Sequence, residues 1–198
     1  MLRGFVPPDM CRFLSLNYQI LVQNNYLKYN DGQVERGYAA YGLPISESLL
    51  EMFVAPLSRA LGRPLYPTYS YTRFYLKGAV LAKHLDRKSC EVSATLTIDH
   101  AAAEPWPILI ETKAGEEVPV ALQRGDILVY KGYERRHWRA PLDGDWQIQV
   151  FLHFVHQDGP YADFKFDTRP RLGAPIEARR TQRPAMEGQP VFTKPPGR

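Results

Sequence analysis

The period of the hydrophobic pattern changes near residue 65 of this 198-residue chain. Before that point, apolar residues recur at three- and four-residue spacing in PPDMCRFLSLNYQILVQNN and in ISESLLEMFVAPLSRALGRP, which predicts two amphipathic helices. Ser46 or Ser48 is the candidate N-cap of the second helix, Gly62 is its stop, and Pro56 should kink or split it. Between the helices, NDGQVERGYAAYGLP is rich in turn residues and predicts a mobile loop.

After residue 65 the pattern is that of short β-strands. Turn signals such as KAGE, QRGD and LDGD separate the candidate strands. No helical segment intervenes between them, so the pattern favours a barrel or a double-sheet jelly roll over a βαβ fold. The eight candidate strands are YPTYSYTRFYL, AVLAKHL, CEVSATLTI, PILIET, EVPVAL, DILVY, RRHWRA and WQIQVFLHFV.

The pattern divides the chain into one structural domain and a tail. We predict an N-terminal helical flank at residues 1–65, packed on a β core at residues 66–167, and a basic tail rich in proline and arginine at residues 168–198. From Arg169 onward seven basic residues stand against two acidic ones, so the rest of the chain carries −1 although the whole carries +4. The tail has few apolar residues to bury, and we expect it to stay extended.

Composition also indicates the compartment. The two cysteines, Cys11 and Cys90, have no C-x-x-C spacing and do not suggest a disulfide framework. Prolines interrupt the first apolar run before it reaches signal-peptide length, and no stretch of about 18 apolar residues occurs. We therefore expect a cytoplasmic protein without a membrane partner. No motif resembles an RNA-binding module, so nucleic acid is not an expected partner; the oligomeric state stays open.

The histidines give the first candidate chemistry. Two of the five begin a His-x-acid triplet, HLD at residues 84–86 and HQD at residues 156–158. In a strand, residues i and i+2 point to the same side, so either triplet could present an imidazole and a carboxylate to one ion. The first triplet is followed several strands later by His137 in YERRHWRAP, whereas no histidine follows the second.

A jelly roll can bring an early and a late strand together. His84, Asp86 and His137 would then offer two imidazoles and one carboxylate to one face of an ion, which is the facial triad of non-haem Fe(II) oxygenases. The alternative is structural, with both imidazoles hydrogen-bonded in the barrel and Asp86 capping a turn. The order and spacing of the three residues favour the metal site.

Two longer segments resemble a known family. RFYLKGAVLAKHLD is similar to the Tyr-x-x-Gly followed by His-x-Asp of prolyl 4-hydroxylase-like members of the Fe(II)/2-oxoglutarate-dependent dioxygenase superfamily. VPVALQRGDILVYKGYERRHWRAP resembles the strand, Gly-Asp turn, strand and distal histidine of the same superfamily. The resemblance spans roughly residues 66–155 and implies a mainly β protein with flanking N-terminal helices, built on a double-stranded β-helix, the jelly-roll or cupin-like barrel.

The resemblance also implies a reaction. His84, Asp86 and His137 would be the catalytic ligands of Fe(II), and Tyr75 would lie near the carboxylates of 2-oxoglutarate. The implied activity consumes O2, converts 2-oxoglutarate to succinate and CO2, and hydroxylates a small molecule or a peptide side chain. The aspartate of His-x-Asp argues against a halogenating variant, which has glycine there.

The chain departs from the superfamily at one position. Its members usually place an arginine or lysine shortly after the distal histidine, where it forms a salt bridge with the far carboxylate of 2-oxoglutarate. The corresponding segment here is DGDWQIQVF, in which Gln147 and Gln149 can face the cavity together but carry no charge. Arg139, two residues beyond the distal histidine, and Arg73, two residues before Tyr75, are the candidate substitutes.

Two other interpretations stay open. The missing cation gives weight to an iron oxygenase that does not use 2-oxoglutarate. A protein of a different class, a non-catalytic jelly-roll binding or sensor protein, would need no iron. The composition of the rim loop does not identify a substrate.

Overall fold

The structure is a computed structural model that describes residues 1–173. Residues 174–198, which hold most of the predicted basic tail, lie outside the described residues. Both predicted helices form: α1 spans Pro8–Gln23 and α2 spans Pro44–Leu61. No helix within residues 1–173 is long and apolar enough to cross a membrane.

Helix α2 differs from the prediction at its start and in its middle. It begins at Pro44, so neither Ser46 nor Ser48 is its N-cap. Ser46 is buried instead, and its hydroxyl bonds to side chains of α1 and of the neighbouring sheet. The helix is not split at Pro56, because proline removes one backbone hydrogen bond while the buried apolar face of the helix outweighs that loss.

The strands form two antiparallel sheets. In chain order, the ten strands within residues 1–173 are β1 (Lys28–Tyr29), β2 (Gly37–Tyr41), β3 (Leu65–Leu76), β4 (Leu81–His84), β5 (Val92–His100), β6 (Ile108–Glu111), β7 (Glu117–Val120), β8 (Ile127–Tyr130), β9 (His137–Arg139) and β10 (Trp146–His156). The larger sheet has the order β1-β2-β3-β10-β5-β8, and the smaller sheet has the order β4-β9-β6-β7. Strands β3 to β10 correspond to the eight predicted strands, and the predicted double-stranded β-helix with N-terminal helices is confirmed.

The prediction of a mobile loop between the helices is wrong over Gly37–Tyr41. These residues form β2, which pairs along its whole length with β3 and extends the larger sheet into the segment predicted to be a helical flank. A Cβ at Gly37 would lie 2.9 Å from the carbonyl oxygen of Phe74, so glycine is needed for the close approach of the two strands. In the sequence, that glycine is indistinguishable from a turn signal.

The central strand β10 separates two packing environments. The two helices cover one face of the larger sheet, where Val150, Leu152 and Phe154 of β10 pack against them. The residues between them, Phe151 and His153, lie on the opposite face, inside the barrel formed with the smaller sheet. The interior of the barrel therefore receives every second residue of β10, and several of these are polar.

The burial of His153 predicts a loss of stability in acid. Burial lowers the pKa of this imidazole from 6.5 to about 4. The unfolded chain therefore takes up the proton near pH 6.5 and the folded chain only near pH 4, so stability present above pH 6.5 is lost as the pH falls through this window. Between pH 7 and pH 5 the loss from this group is about 2 kcal/mol.

Urea unfolding of the metal-free protein at these two pH values measures the effect. The His153→Gln variant, which carries no titrating group at this position, should lose about 2 kcal/mol less than the wild type between them. The other four histidines are present in both proteins. An equal loss in the two proteins would show that His153 does not contribute.

Candidate metal centre and adjoining recess

The smaller sheet brings the first triplet and the distal histidine together. β4 ends at His84 and β9 begins at His137, and the two residues are direct partners in the antiparallel pair. Their ring centroids are 4.2 Å apart. Asp86 Oδ1 lies 3.5 Å from His84 Nε2 and 3.6 Å from His137 Nε2. One ligand atom from each residue lies within 4.8 Å of the other two, which suits coordination of a single ion.

Both imidazoles are oriented by backbone carbonyls. Nδ1 of His84 lies 2.8 Å from the carbonyl oxygen of Ala82, and Nδ1 of His137 lies 2.9 Å from that of Arg135. A carbonyl can only accept, so Nδ1 carries the proton in each neutral ring and Nε2 keeps its lone pair. This is the usual arrangement of histidines that bind metal through Nε2.

The protonation states also suit a cation. Burial alone would raise the pKa of Asp86, but the neighbouring His84, His153 and His137 and the hydrogen bond from the Ser93 hydroxyl hold that pKa well below its usual range. Burial lowers the pKa of His137, which favours the neutral ring. A charged carboxylate and an unprotonated ring nitrogen are the forms that bind metal.

A cavity of about 230 Å³ opens onto these three residues. Leu81, Tyr130 and Phe151 supply the less polar part of its lining. The rest of the cavity lining is more polar. It includes Asp31, Gln33, Tyr69, Tyr71, Arg73 and His153.

Near the cavity, Tyr75, Arg139 and Gln147 form a buried polar cluster with unsatisfied atoms, which we call the recess. Arg139 is fully buried, and its Nη1 donates to the carbonyl oxygen of Trp106 at 2.5 Å. Among the described residues, Nε and Nη2 of Arg139 have no hydrogen-bond partner, and neither do the Tyr75 hydroxyl and Gln147 Oε1. Because buried polar atoms are nearly always paired, this concentration of unpaired atoms points to a polar ligand.

The two candidate arginines have different partners. The guanidinium of Arg73 donates to Asp31 Oδ2 at 2.6 Å and to Gln33 Oε1 at 2.5 Å, so its charge is neutralised within the wall of the cavity. Arg139 makes no ion pair with any described residue. Burial lowers the pKa of Arg139, as expected for a guanidinium without an anion beside it. The recess therefore holds one positive charge that no described acidic residue neutralises.

The two glutamines lie inside the barrel and differ in how many of their amide atoms have a hydrogen-bond partner. Gln147 Nε2 donates to Gln149 Oε1 at 3.0 Å, and Gln149 Nε2 donates to Thr95 Oγ1 at 2.7 Å. Thr97 Oγ1 donates to Gln149 Oε1 at 3.1 Å. Gln149 is thus fully engaged with the neighbouring strand β5, and Gln147 presents the unpaired amide atom of the pair.

A second cluster, Asp86, Cys90 and His153, also has ligand atoms within 4.8 Å of one another. The Ser93 hydroxyl already bonds both to Asp86 Oδ2 and to His153 Nδ1. Burial raises the pKa of the Cys90 thiol to about 12, so it stays protonated at neutral pH. This cluster is therefore a poor metal site. The second triplet does not form one either, because Asp158 pairs with Arg63 at the surface.

Of the predicted site residues, the structure brings His84, Asp86 and His137 together and places Tyr75, Arg139, Gln147 and Gln149 in the barrel interior. Arg73 lines the cavity itself. Sequence reasoning missed the roles of Ser93 and Asp31, whose contacts join segments that are 60 and 42 residues apart. Ser93 is one of several polar residues that alternate with apolar ones in β5, so the sequence held no specific signal for it.

The likeness of this chain to known proteins lies in its structure. No family model and no curated protein sequence matches this chain. A prolyl 4-hydroxylase from Pseudomonas putida is similar in structure, with a TM-score of 0.61 and 18% identity over 77% of this chain and 89% of that chain. The 2-oxoglutarate-dependent epimerase SnoN of nogalamycin biosynthesis has a TM-score of 0.63 and 12% identity, over 88% of each chain.

A third similar structure contains ligands. HygX from Streptomyces hygroscopicus, solved with nickel, 2-oxoglutarate and hygromycin B, has a TM-score of 0.59 and 13% identity over 77% of this chain and 80% of that chain. At such low identity the likeness is one of fold. The chain has the double-stranded β-helix fold of the Fe(II)/2-oxoglutarate oxygenases, and its structural relatives include prolyl 4-hydroxylases.

Proposed function

We propose that this protein is a non-haem Fe(II)- and 2-oxoglutarate-dependent oxygenase that hydroxylates a small molecule or a peptide side chain. The observation that carries the proposal is the juxtaposition of a two-histidine, one-carboxylate cluster and a buried guanidinium that has no anion among the described residues. The first suits Fe(II), and the second suits the far carboxylate of 2-oxoglutarate. The fold is consistent with this function.

The residues of the cluster fit Fe(II). His84 Nε2, His137 Nε2 and Asp86 Oδ1 would bind from one side, which leaves other coordination positions open to the cavity. When bound, the iron would supply the activation of O2, with 2-oxoglutarate as the electron source that becomes succinate and CO2. Leu81, Tyr130 and Phe151 would keep bulk water away from the reacting groups.

Arg139 is the proposed anchor of 2-oxoglutarate. An isolated buried charge is costly, and a carboxylate in the recess would both neutralise the guanidinium and accept from its free Nε and Nη2. The Tyr75 hydroxyl would donate to the same carboxylate. Arg73 is not proposed as the anchor, because Asp31 already neutralises it. The cation that is missing from β10 is thus supplied by β9.

Gln147 would complete the carboxylate site through its amide nitrogen. An amide oxygen and nitrogen are assigned from the hydrogen-bond network, and here the network can be reversed as a whole. If both amides turn over, Gln149 donates to Gln147 and accepts from Thr95, whose hydroxyl can act either way. Gln147 then directs two N–H donors into the recess in place of its unpaired oxygen.

The metal half of the proposal predicts a loss of bound iron on removal of one ligand. His84→Ala should lower the affinity for Fe(II) at least about 100-fold, since two ligands remain of three. The side chain of His84 is 24% exposed, so the fold should tolerate the change. Iron content and titration with Mn(II), on protein purified without a metal-affinity tag, measure the effect.

His100→Ala serves as the matched control, because His100 is also a histidine at the end of a strand but lies outside the cluster. It should bind metal like the wild type. Equal metal binding by His84→Ala and the wild type would refute the site, and a wild type that binds no metal would favour a non-catalytic binding protein.

The co-substrate half predicts different effects for the two arginines. Arg139→Gln should weaken the binding of N-oxalylglycine, an unreactive analogue of 2-oxoglutarate, about 100-fold or more in the Mn(II)-loaded protein, because a buried charge-assisted pair is lost. Arg73→Gln should weaken the binding of the analogue less than about tenfold, since Arg73 is part of the cavity wall and is already paired with Asp31. Isothermal titration of the metal-loaded variants measures both constants.

The opposite ranking would assign the anchor to Arg73. No binding of the analogue by the metal-loaded wild type, together with O2 consumption that does not depend on 2-oxoglutarate, would favour an iron oxygenase that uses another electron donor. Circular dichroism of each variant verifies that the fold is retained.

A further inference from the structure

The carboxylate of Asp86 is bound on two sides. Oδ1 faces the two imidazoles, whereas Oδ2 accepts a hydrogen bond from the Ser93 hydroxyl at 2.9 Å. Ser93 Oγ lies 3.1 Å from Nδ1 of His153. Both supporting side chains are buried, with Ser93 1% and His153 5% exposed. The oxygen of Asp86 that faces away from the imidazoles is therefore part of a buried hydrogen-bonded chain.

The directions of these hydrogen bonds follow from the chemistry of the groups. A metal-binding carboxylate is ionised and can only accept, so the single proton of the Ser93 hydroxyl points to Asp86 Oδ2. Ser93 Oγ must then accept from His153, which requires the proton of that imidazole on Nδ1. The chain runs from His153 Nδ1–H to Ser93 Oγ–H to Asp86 Oδ2, with every donor and acceptor used once.

Gly132 packs against Asp86 as well. Its carbonyl oxygen accepts from the backbone N–H of Asp86 at 3.0 Å. A Cβ at this position would overlap both Asp86 Oδ2 and Ser93 Oγ, so the absence of a side chain lets the turn between β8 and β9 pack directly on the carboxylate. The need here is for space, because Gly132 does not have a positive φ.

We propose that Ser93, His153 and Gly132 are positioning residues that hold Asp86 so that Oδ1 alone is presented to the metal. This inference rests on the proposed metal site and goes beyond it, because none of the three is itself a ligand. They also connect the two sheets. The imidazoles of the site come from β4 and β9 of the smaller sheet, whereas Ser93 and His153 come from β5 and β10 of the larger one.

The arrangement has a consequence for coordination. With Oδ2 engaged by Ser93, Asp86 binds through one oxygen and leaves more positions of the ion open. Without the Ser93 hydroxyl, Oδ2 is free to turn toward the ion, and His153 Nδ1 loses its acceptor. Loss of the positioning chain should therefore change both the affinity for the metal and the way in which the carboxylate binds.

Substitutions in the hydrogen-bonded series from His153 through Ser93 to Asp86 test the proposal through metal binding. Ser93→Ala should weaken the binding of Mn(II) about 10- to 100-fold, as is typical for the loss of a partner of a metal ligand. His153→Leu, which removes the donor to Ser93, should weaken it about tenfold. His153→Asn should stay within about threefold of the wild type, because its amide nitrogen occupies nearly the position of Nδ1 and can still donate.

The visible absorption spectrum of the Co(II)-loaded protein provides a second readout, because it reports the number and geometry of the ligands. It should change in Ser93→Ala and His153→Leu and stay as in the wild type in His153→Asn. A merely structural role would lower stability without altering this spectrum.

Ser70→Ala is the matched control. Ser70 is a fully buried serine on β3 whose hydroxyl bonds to Glu47, away from the metal cluster. It should lose stability comparable to Ser93→Ala but keep the wild-type affinity and spectrum. If Ser93→Ala and His153→Leu bind metal like the wild type while His84→Ala does not, the positioning role is overturned and the metal site stands. If the wild type binds no metal, the proposed function itself fails.

Discussion

The antiparallel pairing of β4 with β9 is the constraint on which the candidate site depends, because it sets His84 directly opposite His137. A slip of one residue in that pairing would turn one imidazole to the other face of the smaller sheet. The same register directs Arg139, two residues beyond His137, to the barrel interior, where it is fully buried. One short ladder therefore fixes the distance between the two imidazoles and delivers the buried cation of the neighbouring recess.

Charge in the barrel interior gives the site its second organising feature. Asp31 reaches from the segment before β2 to neutralise Arg73, and its other oxygen accepts the backbone N–H groups of Gln33 and Val34. That arginine is therefore part of the wall. Arg139 packs 4.8 Å from the ring of Trp106, which shields it from water but does not neutralise it. A fold that buries a guanidinium in this way gains stability when an anion binds beside it.

The sequence predicts the elements of this fold well because their periods are clear and their turns are marked. Strand β2 escaped prediction because Gly37, which the close approach to β3 requires, reads as a turn residue. The order of the His-x-Asp triplet and the distal histidine was sufficient to propose the metal cluster. Periodicity could not separate Arg139 from Arg73, since their difference lies in a contact with Asp31 that is 42 residues from Arg73. The contacts of Ser93 likewise depend on cross-strand register, which a single sequence does not give.

A crystal structure of the protein loaded with Mn(II) and N-oxalylglycine would show both the proposed metal ligands and the proposed anchor. We expect one ion bound by His84 Nε2, His137 Nε2 and Asp86 Oδ1, with the far carboxylate of the analogue on the guanidinium of Arg139 and the hydroxyl of Tyr75. An ion bound elsewhere, or an analogue whose far carboxylate lies on Arg73 or outside the recess, would contradict this expectation.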